Sequence, residues 1–124
     1  MALQSGFGDI AVKSSFATFT IASGTAITPV IDAQAATLSF IQAPATLTAA
    51  LTYDLLGSID GTTYSKIYSG DATTQLYGGI TTANLQGKLV RIQSTDVRGL
   101  RYFKLQGSGN EGADRSFVFG FCYI

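Results

Sequence analysis

Ser116-Phe117-Val118-Phe119-Gly120-Phe121-Cys122-Tyr123 decides the fold. Phe117, Phe119, Phe121 and Tyr123 recur at every second position, the period of a strand that buries one face. Gly120 thins the opposite face. A stripe of four rings needs cover on both flanks, so this strand is expected at the centre of its sheet. An exposed strand of this kind would invite association.

Working back from that strand, the same period recurs with little helical pattern between. Phe16–Ile21 reads as a strand with Phe16, Thr18 and Thr20 on one side and Ala17, Phe19 and Ile21 on the other. Ala26–Ile31 is a second, which Pro29 confines to an edge or a bulge because proline cannot donate to a ladder. Ala36–Ile41 is a third. Leu47–Leu56 is the longest, and its core face is expected to be Leu47, Ala49, Leu51, Tyr53 and Leu55. Ser58-Ile59-Asp60-Gly61-Thr62 is a turn, since Asp-Gly between apolar runs accepts positive φ. Thr63–Tyr68 returns from it, and Asp71–Gly79 is less regular. Lys88–Ser94 and Leu100–Gln106 are strands joined by a tight Asp96-Val97-Arg98-Gly99 turn. Gly107–Asp114 is a glycine-rich loop.

About eight short strands with no substantial helix predict an all-β, antiparallel two-sheet β-sandwich, jelly-roll-like, over residues 16–124. Residues 1–15 read differently. Leu3, Phe7 and Ile10 are strand-like but spaced by Gly6, Gly8 and Asp9. This segment is either a frayed terminus or an arm laid on another subunit, and the second reading is preferred.

Charged residues make up 13% of the 124, about half the usual fraction of roughly 25%. Eight Lys and Arg balance eight Asp and Glu. A free monomer ordinarily keeps soluble through surface charge, and disordered chains are polar and poor in aromatics. A folded domain with a Ser, Thr, Ala and Gly exterior packs against protein at little desolvation cost. The exterior is therefore expected to be covered in use, although a neutral monomer is the plainer alternative. Direct nucleic-acid binding is not expected, because Lys13, Lys66, Lys88 and Lys104 are scattered and Arg91, Arg98 and Arg101 are interrupted by Asp96. No run approaches the roughly 20 apolar residues of a membrane helix. The opening MALQSGFGDI has neither the basic head nor the apolar run of a secretory leader.

The chain has no histidine and one cysteine. Histidine-based catalysis, a Ser-His-Asp triad and Zn or Fe–S sites are therefore excluded. Cys122, within an aromatic strand, is expected to be a buried inert thiol. Two carboxylates suffice for glycoside hydrolysis, yet nothing in the sequence pairs any of the eight, and isolated Asp residues at turns are usually turn formers. Gly107–Gly112 precedes no helix and carries no P-loop lysine. Calcium held by Glu111 and Asp114 is chemically conceivable, but the spacing matches no EF-hand loop. No enzyme activity, cofactor or metal is expected.

Two segments carry a resemblance. Leu55-Leu56-Gly57-Ser58-Ile59-Asp60-Gly61-Thr62-Thr63-Tyr64 runs from a strand into an S-x-D-G turn, and Leu100-Arg101-Tyr102-Phe103-Lys104-Leu105 is an alternating strand. In this order they resemble the decoration or cement proteins of tailed-bacteriophage capsids, over roughly residues 47–124. They also look like a galactose-binding, discoidin-like jelly roll.

The capsid resemblance implies a viral structural protein on the outer capsid surface of a virion. It would bind the major capsid protein, stabilise the shell, and associate with itself as a homotrimer. The alternatives are a jelly-roll carbohydrate-binding module or another virion accessory, such as a head fibre base, tail or spike component. Lack of Trp weakens the sugar reading, though tyrosines can stack on a pyranose. The partner-binding residues expected are Leu3, Phe7 and Ile10 in the arm, Tyr64 and Tyr68 as anchors, and Arg98 and Arg101 against a carboxylate.

Overall fold

The computed structural model describes residues 13–123, the side chain of Lys13 excepted. Among the described residues nine strands form: β1 (Lys13–Ile21), β2 (Ile31–Asp32), β3 (Thr37–Gln42), β4 (Thr52–Ser58), β5 (Ser65–Lys66), β6 (Ile80–Thr81), β7 (Leu89–Arg91), β8 (Tyr102–Gly107) and β9 (Arg115–Tyr123). Two single-turn helices, α1 (Thr82–Leu85) and α2 (Ser94–Val97), flank β7.

The strands lie in two antiparallel sheets, ordered β1-β9-β3-β7 and β2-β8-β4-β5, with β6 pairing β4 off the main path. With β6 set aside, the remaining eight strands pair as 1-8-3-6 and 2-7-4-5. This is the jelly roll, in which the chain crosses repeatedly between the two sheets. The expected all-β two-sheet sandwich is therefore what forms. Its hydrophobic filling is Ile21, Ile31, Leu38, Tyr53, Leu55, Phe103, Phe117 and Phe119, all fully buried.

β9 is central, between β1 and β3. Phe117, Phe119 and Phe121 face the core, where Phe19 meets Phe119 edge-on at 5.5 Å between centroids. Tyr123 continues the period but is exposed at the strand's end. Cys122 points to the other face and is half-buried, so the expected buried thiol is corrected by the register: it sits beside Ser14 and Thr37.

Four expected strands change, and one of them, Thr63–Tyr68, shrinks to Ser65–Lys66 with a lone bridge from Tyr68 to Gln75. Leu47–Leu51 is a loop, with Ala50 at φ +63 and Ala49 exposed, so β4 begins only at Thr52. Ala26–Val30 runs extended with a lone bridge from Ile27 to Gln106, because Pro29 offers no donor, and the ladder starts at Ile31. The Lys88–Ser94 strand is cut to Leu89–Arg91. The chain then turns into α2, which Tyr77 holds by donating from its hydroxyl to Asp96 (2.5 Å) and accepting the Gln93 N–H (2.9 Å).

One irregularity shapes a surface. The register of β3 against β9 shifts between Leu38 and Phe40, a β-bulge at Ser39, whose Oγ donates to the Gly120 carbonyl (3.1 Å). The extra residue lets Leu38 and Ile41 both reach the core and turns Phe40 outward. There its ring fills the space above Gly120: a Cβ on Gly120 would lie 2.0 Å from it.

Candidate interaction surface

The outer face of the four-stranded sheet is built from cross-strand rows. One row runs Phe16, Gly120, Phe40 and Arg91, and the next runs Thr18, Val118, Gln42 and Leu89. Ser14, Cys122 and Thr37 lie on one flank, and Thr20 and Ser116, hydrogen-bonded at 2.9 Å, on the other. Phe16 is 68% exposed and Leu89 is 56% exposed. The Phe16 and Phe40 rings lie 6.2 Å apart. Arg91 is the one charged side chain in these rows. Beside them, between the bulge and α2, lies an open cleft of about 640 Å³ with Arg91, Ser39 and Cys122 on its walls.

The outer face of the five-stranded sheet is dressed by its own charges. Lys104 Nζ lies 4.7 Å from the Tyr64 ring centroid, and the Arg101 guanidinium lies 5.0 Å from that of Tyr102. Arg101 also makes a bidentate pair with Asp32 (2.8 and 3.0 Å). Through that pair and the Gln34 N–H, Asp32 is held below the usual carboxylate range. Burial, then the charges of Asp60, Tyr102 and Asp32, pushes the Tyr64 phenol up.

The sequence-derived residues therefore separate. Tyr64 is engaged by Lys104, and Arg101 by Tyr102 and Asp32, so both are occupied within the chain, and a sugar would have to displace Lys104 to stack on that side of Tyr64. Tyr68 lies beyond β5 and is 46% exposed. Arg98 caps the end of α2, its backbone N–H donating to Ser94. Leu3, Phe7 and Ile10 lie outside the described residues.

Two features escaped the reading of the sequence. The first is a repeated turn. Ser58-Ile59-Asp60-Gly61-Thr62-Thr63 and Ser69-Gly70-Asp71-Ala72-Thr73-Thr74 share the pattern S-x-D-x-T-T. In each, the serine hydroxyl donates to the aspartate Oδ1, which also accepts the N–H of both threonines. The fourth position has positive φ in both, +78 at Gly61 and +61 at Ala72. The donors hold both carboxyls low. For Asp60 the threonine N–H groups weigh most, and for Asp71 the Ser69 hydroxyl does, with Asp71 far below its usual range. The repeat was visible as text, eleven residues apart.

The second feature is a buried carboxylate. Glu111 is 2% exposed. Its Oε2 accepts from the Tyr53 hydroxyl, and its Oε1 accepts from the Thr48 N–H (3.0 Å) and Arg115 Nε (3.1 Å). Burial raises its pKa, but these donors outweigh burial and leave it below the ordinary glutamate value. Burial and the adjacent carboxylate push the Tyr53 phenol far upward. With Gly112 donating to Thr48 Oγ1 (2.9 Å) and Gly24 to the Glu111 carbonyl (2.8 Å), the cluster clasps the glycine-rich loop to its neighbours. Its oxygens are committed to protein donors, and Asp114 accepts from the Ser23 N–H (2.8 Å). The calcium arrangement conceivable from sequence is not assembled: Glu111 points inward. Among the described residues no three Cys, Asp or Glu side chains converge.

These features define a class: a jelly-roll sandwich with one broad, nearly uncharged outer face and a buried polar clasp. No protein-family model, curated protein or solved structure matches this chain.

Proposed function

We propose that this protein is a non-enzymatic structural module that docks on other polypeptides through the outer face of its four-stranded sheet. The observation that carries the reading is the composition of that face. Phe16, Phe40, Val118 and Leu89 are arrayed in two cross-strand rows in which Arg91 is the one charged side chain. Contiguous apolar surface rimmed by polar residues marks interaction sites, and few charges must lose their water on contact.

The resemblance of the Ser58–Tyr64 turn and the Leu100–Leu105 strand to phage capsid decoration proteins supplies the partner class. The reading is a cement protein seated on the major capsid protein at the outer surface of a virion. Many copies, each adding a modest contact, would brace the shell through multivalency.

The test is co-sedimentation with DNA-filled tailed-phage heads, with copy number per head measured by quantitative mass spectrometry. Binding is expected to persist in high salt, because contacts of low charge are little screened. Leu89→Asp is expected to abolish it. Protein left in the supernatant, or binding unaffected by Leu89→Asp, overturns the reading.

A further inference from the structure

We infer that β1 is a docking edge for a second copy of this chain, pairing antiparallel with its counterpart about a two-fold axis at Ala17. The inference does not rest on the capsid reading.

The sheet edges differ in how they are guarded. β2 and β5 are two residues long, and Lys66 is in β5. β7 is three residues long, ends in Arg91 and follows Lys88. Short length and charge are the usual devices against edge pairing. β1 has only one of them, a single lysine at its first position, Lys13. It is nine residues long, and from Ser14 to Ile21 it carries no charge and no proline. Its register with β9 is unbroken over all nine pairs, so no bulge twists it away. Among the described residues, nothing pairs with its other side. Nine residues at about 3.4 Å each leave a seam of roughly 30 Å of backbone donors and acceptors.

The strand is also complementary to itself. Centred on Ala17, antiparallel pairing sets Ala17 against Ala17, Phe16 against Thr18 and Ser14 against Thr20. Lys13 falls opposite Ile21, so no like charges meet. The two Phe16 rings become diagonal neighbours on the outer face, within reach for aromatic side chains. A ring that is 68% exposed and already 6.2 Å from Phe40 would then be covered, giving a row of four rings across the axis. The chain's zero formal charge adds no repulsion. An isologous contact closes at two copies, so it yields a dimer in place of the trimer that the capsid resemblance implies. A seam one strand deep is smaller than a standard interface of about 1,600 Å², so the dimer is concentration-dependent.

The test is sedimentation velocity of the full chain from low micromolar to sub-millimolar concentration. The mass is expected to rise from 13.0 kDa to twice that value. Ala17 is exposed, so Ala17→Lys and Ala17→Glu should fold. Each alone should weaken dimerisation by about tenfold or more through like charges at the axis, and an equimolar mixture of the two should restore it. A measurement on the wild type needs no variant: β1 amides should gain hydrogen-exchange protection as concentration rises. A monomer at every concentration, or a dimer with no concentration-dependent protection in β1, overturns the inference. Particle binding by Leu89→Asp is read separately, so either proposal can fail alone.

Discussion

Removing one oxygen from Tyr53 tests whether the clasp around Glu111 holds the glycine-rich loop to β4 and the Thr48 segment. Tyr53→Phe keeps the ring, which is fully buried and packs against Phe117 at 6.4 Å between centroids. Packing is therefore conserved, and the change falls on one hydrogen bond to a buried carboxylate. Glu111 keeps the Thr48 N–H and Arg115 Nε but loses its third donor. A hydrogen bond to a charged group is worth about 1.5–3 kcal/mol, so the expected loss is about 2 kcal/mol. For a domain of this size that corresponds to a Tm lower by about 8 °C and a urea midpoint lower by about 1 M with m unchanged.

The same variant changes the acid limb. Glu111 has a folded pKa below its unfolded value of 4.5. Its stabilisation is complete above that value and is lost as pH falls through the depressed folded pKa. Tyr53→Phe narrows the gap, so the fall in stability below pH 4.5 should be shallower than in the wild type. Urea melts across that range read both effects. A Tm change under about 2 °C at neutral pH, equivalent to about 0.5 kcal/mol, would refute the reasoning, as would an unaltered acid slope.

Ala72→Gly should raise Tm by about 2 °C, because relief of positive φ exceeds the added freedom of the unfolded chain, while Gly61→Ala should lower it. Thermal melts of the pair give the two signs. Asp60 and Asp71 should still be ionised at pH values where an ordinary aspartate is half-protonated, as carboxyl-carbon NMR titration would show. Their turns hold above the usual carboxylate range and loosen as pH falls through the depressed values. Gly120→Ala should cost about 1–3 kcal/mol by driving the Phe40 ring off β9, read by denaturant melts and by the Phe40 ring resonances.

The strands that could be read in advance are those with local patterns unopposed by the rest of the chain. Phe117, Phe119 and Phe121 alternate over a run with one possible facing, and their central place followed from needing cover on both flanks. Leu47–Leu51 alternates as well, but Ala50 turns left-handed and ends the pattern, and no residue type announced it. The bulge at Ser39 was equally silent, since it depends on how β3 meets β9. Phe40 on the outer face, which makes half of the aromatic pair, depends on that bulge. Glu111 sits in a loop of glycines with no local sign of burial, because its partners Tyr53 and Thr48 come from distant chain. The second S-x-D-x-T-T turn was in plain view, but Ala72 stands where glycine would have signalled it.

The pairing of β1 with β9 has a consequence for how the chain is made. The Thr20–Ser116 hydrogen bond spans 96 positions, and the whole β1 register is of this kind. A nascent chain leaving the ribosome therefore cannot complete the four-stranded sheet until β9 has emerged. Pairings so remote along the chain place the domain among slow folders. Until then β1 lacks its partner β9, and a Phe-bearing strand with Lys13 as its one charge waits exposed among other nascent copies.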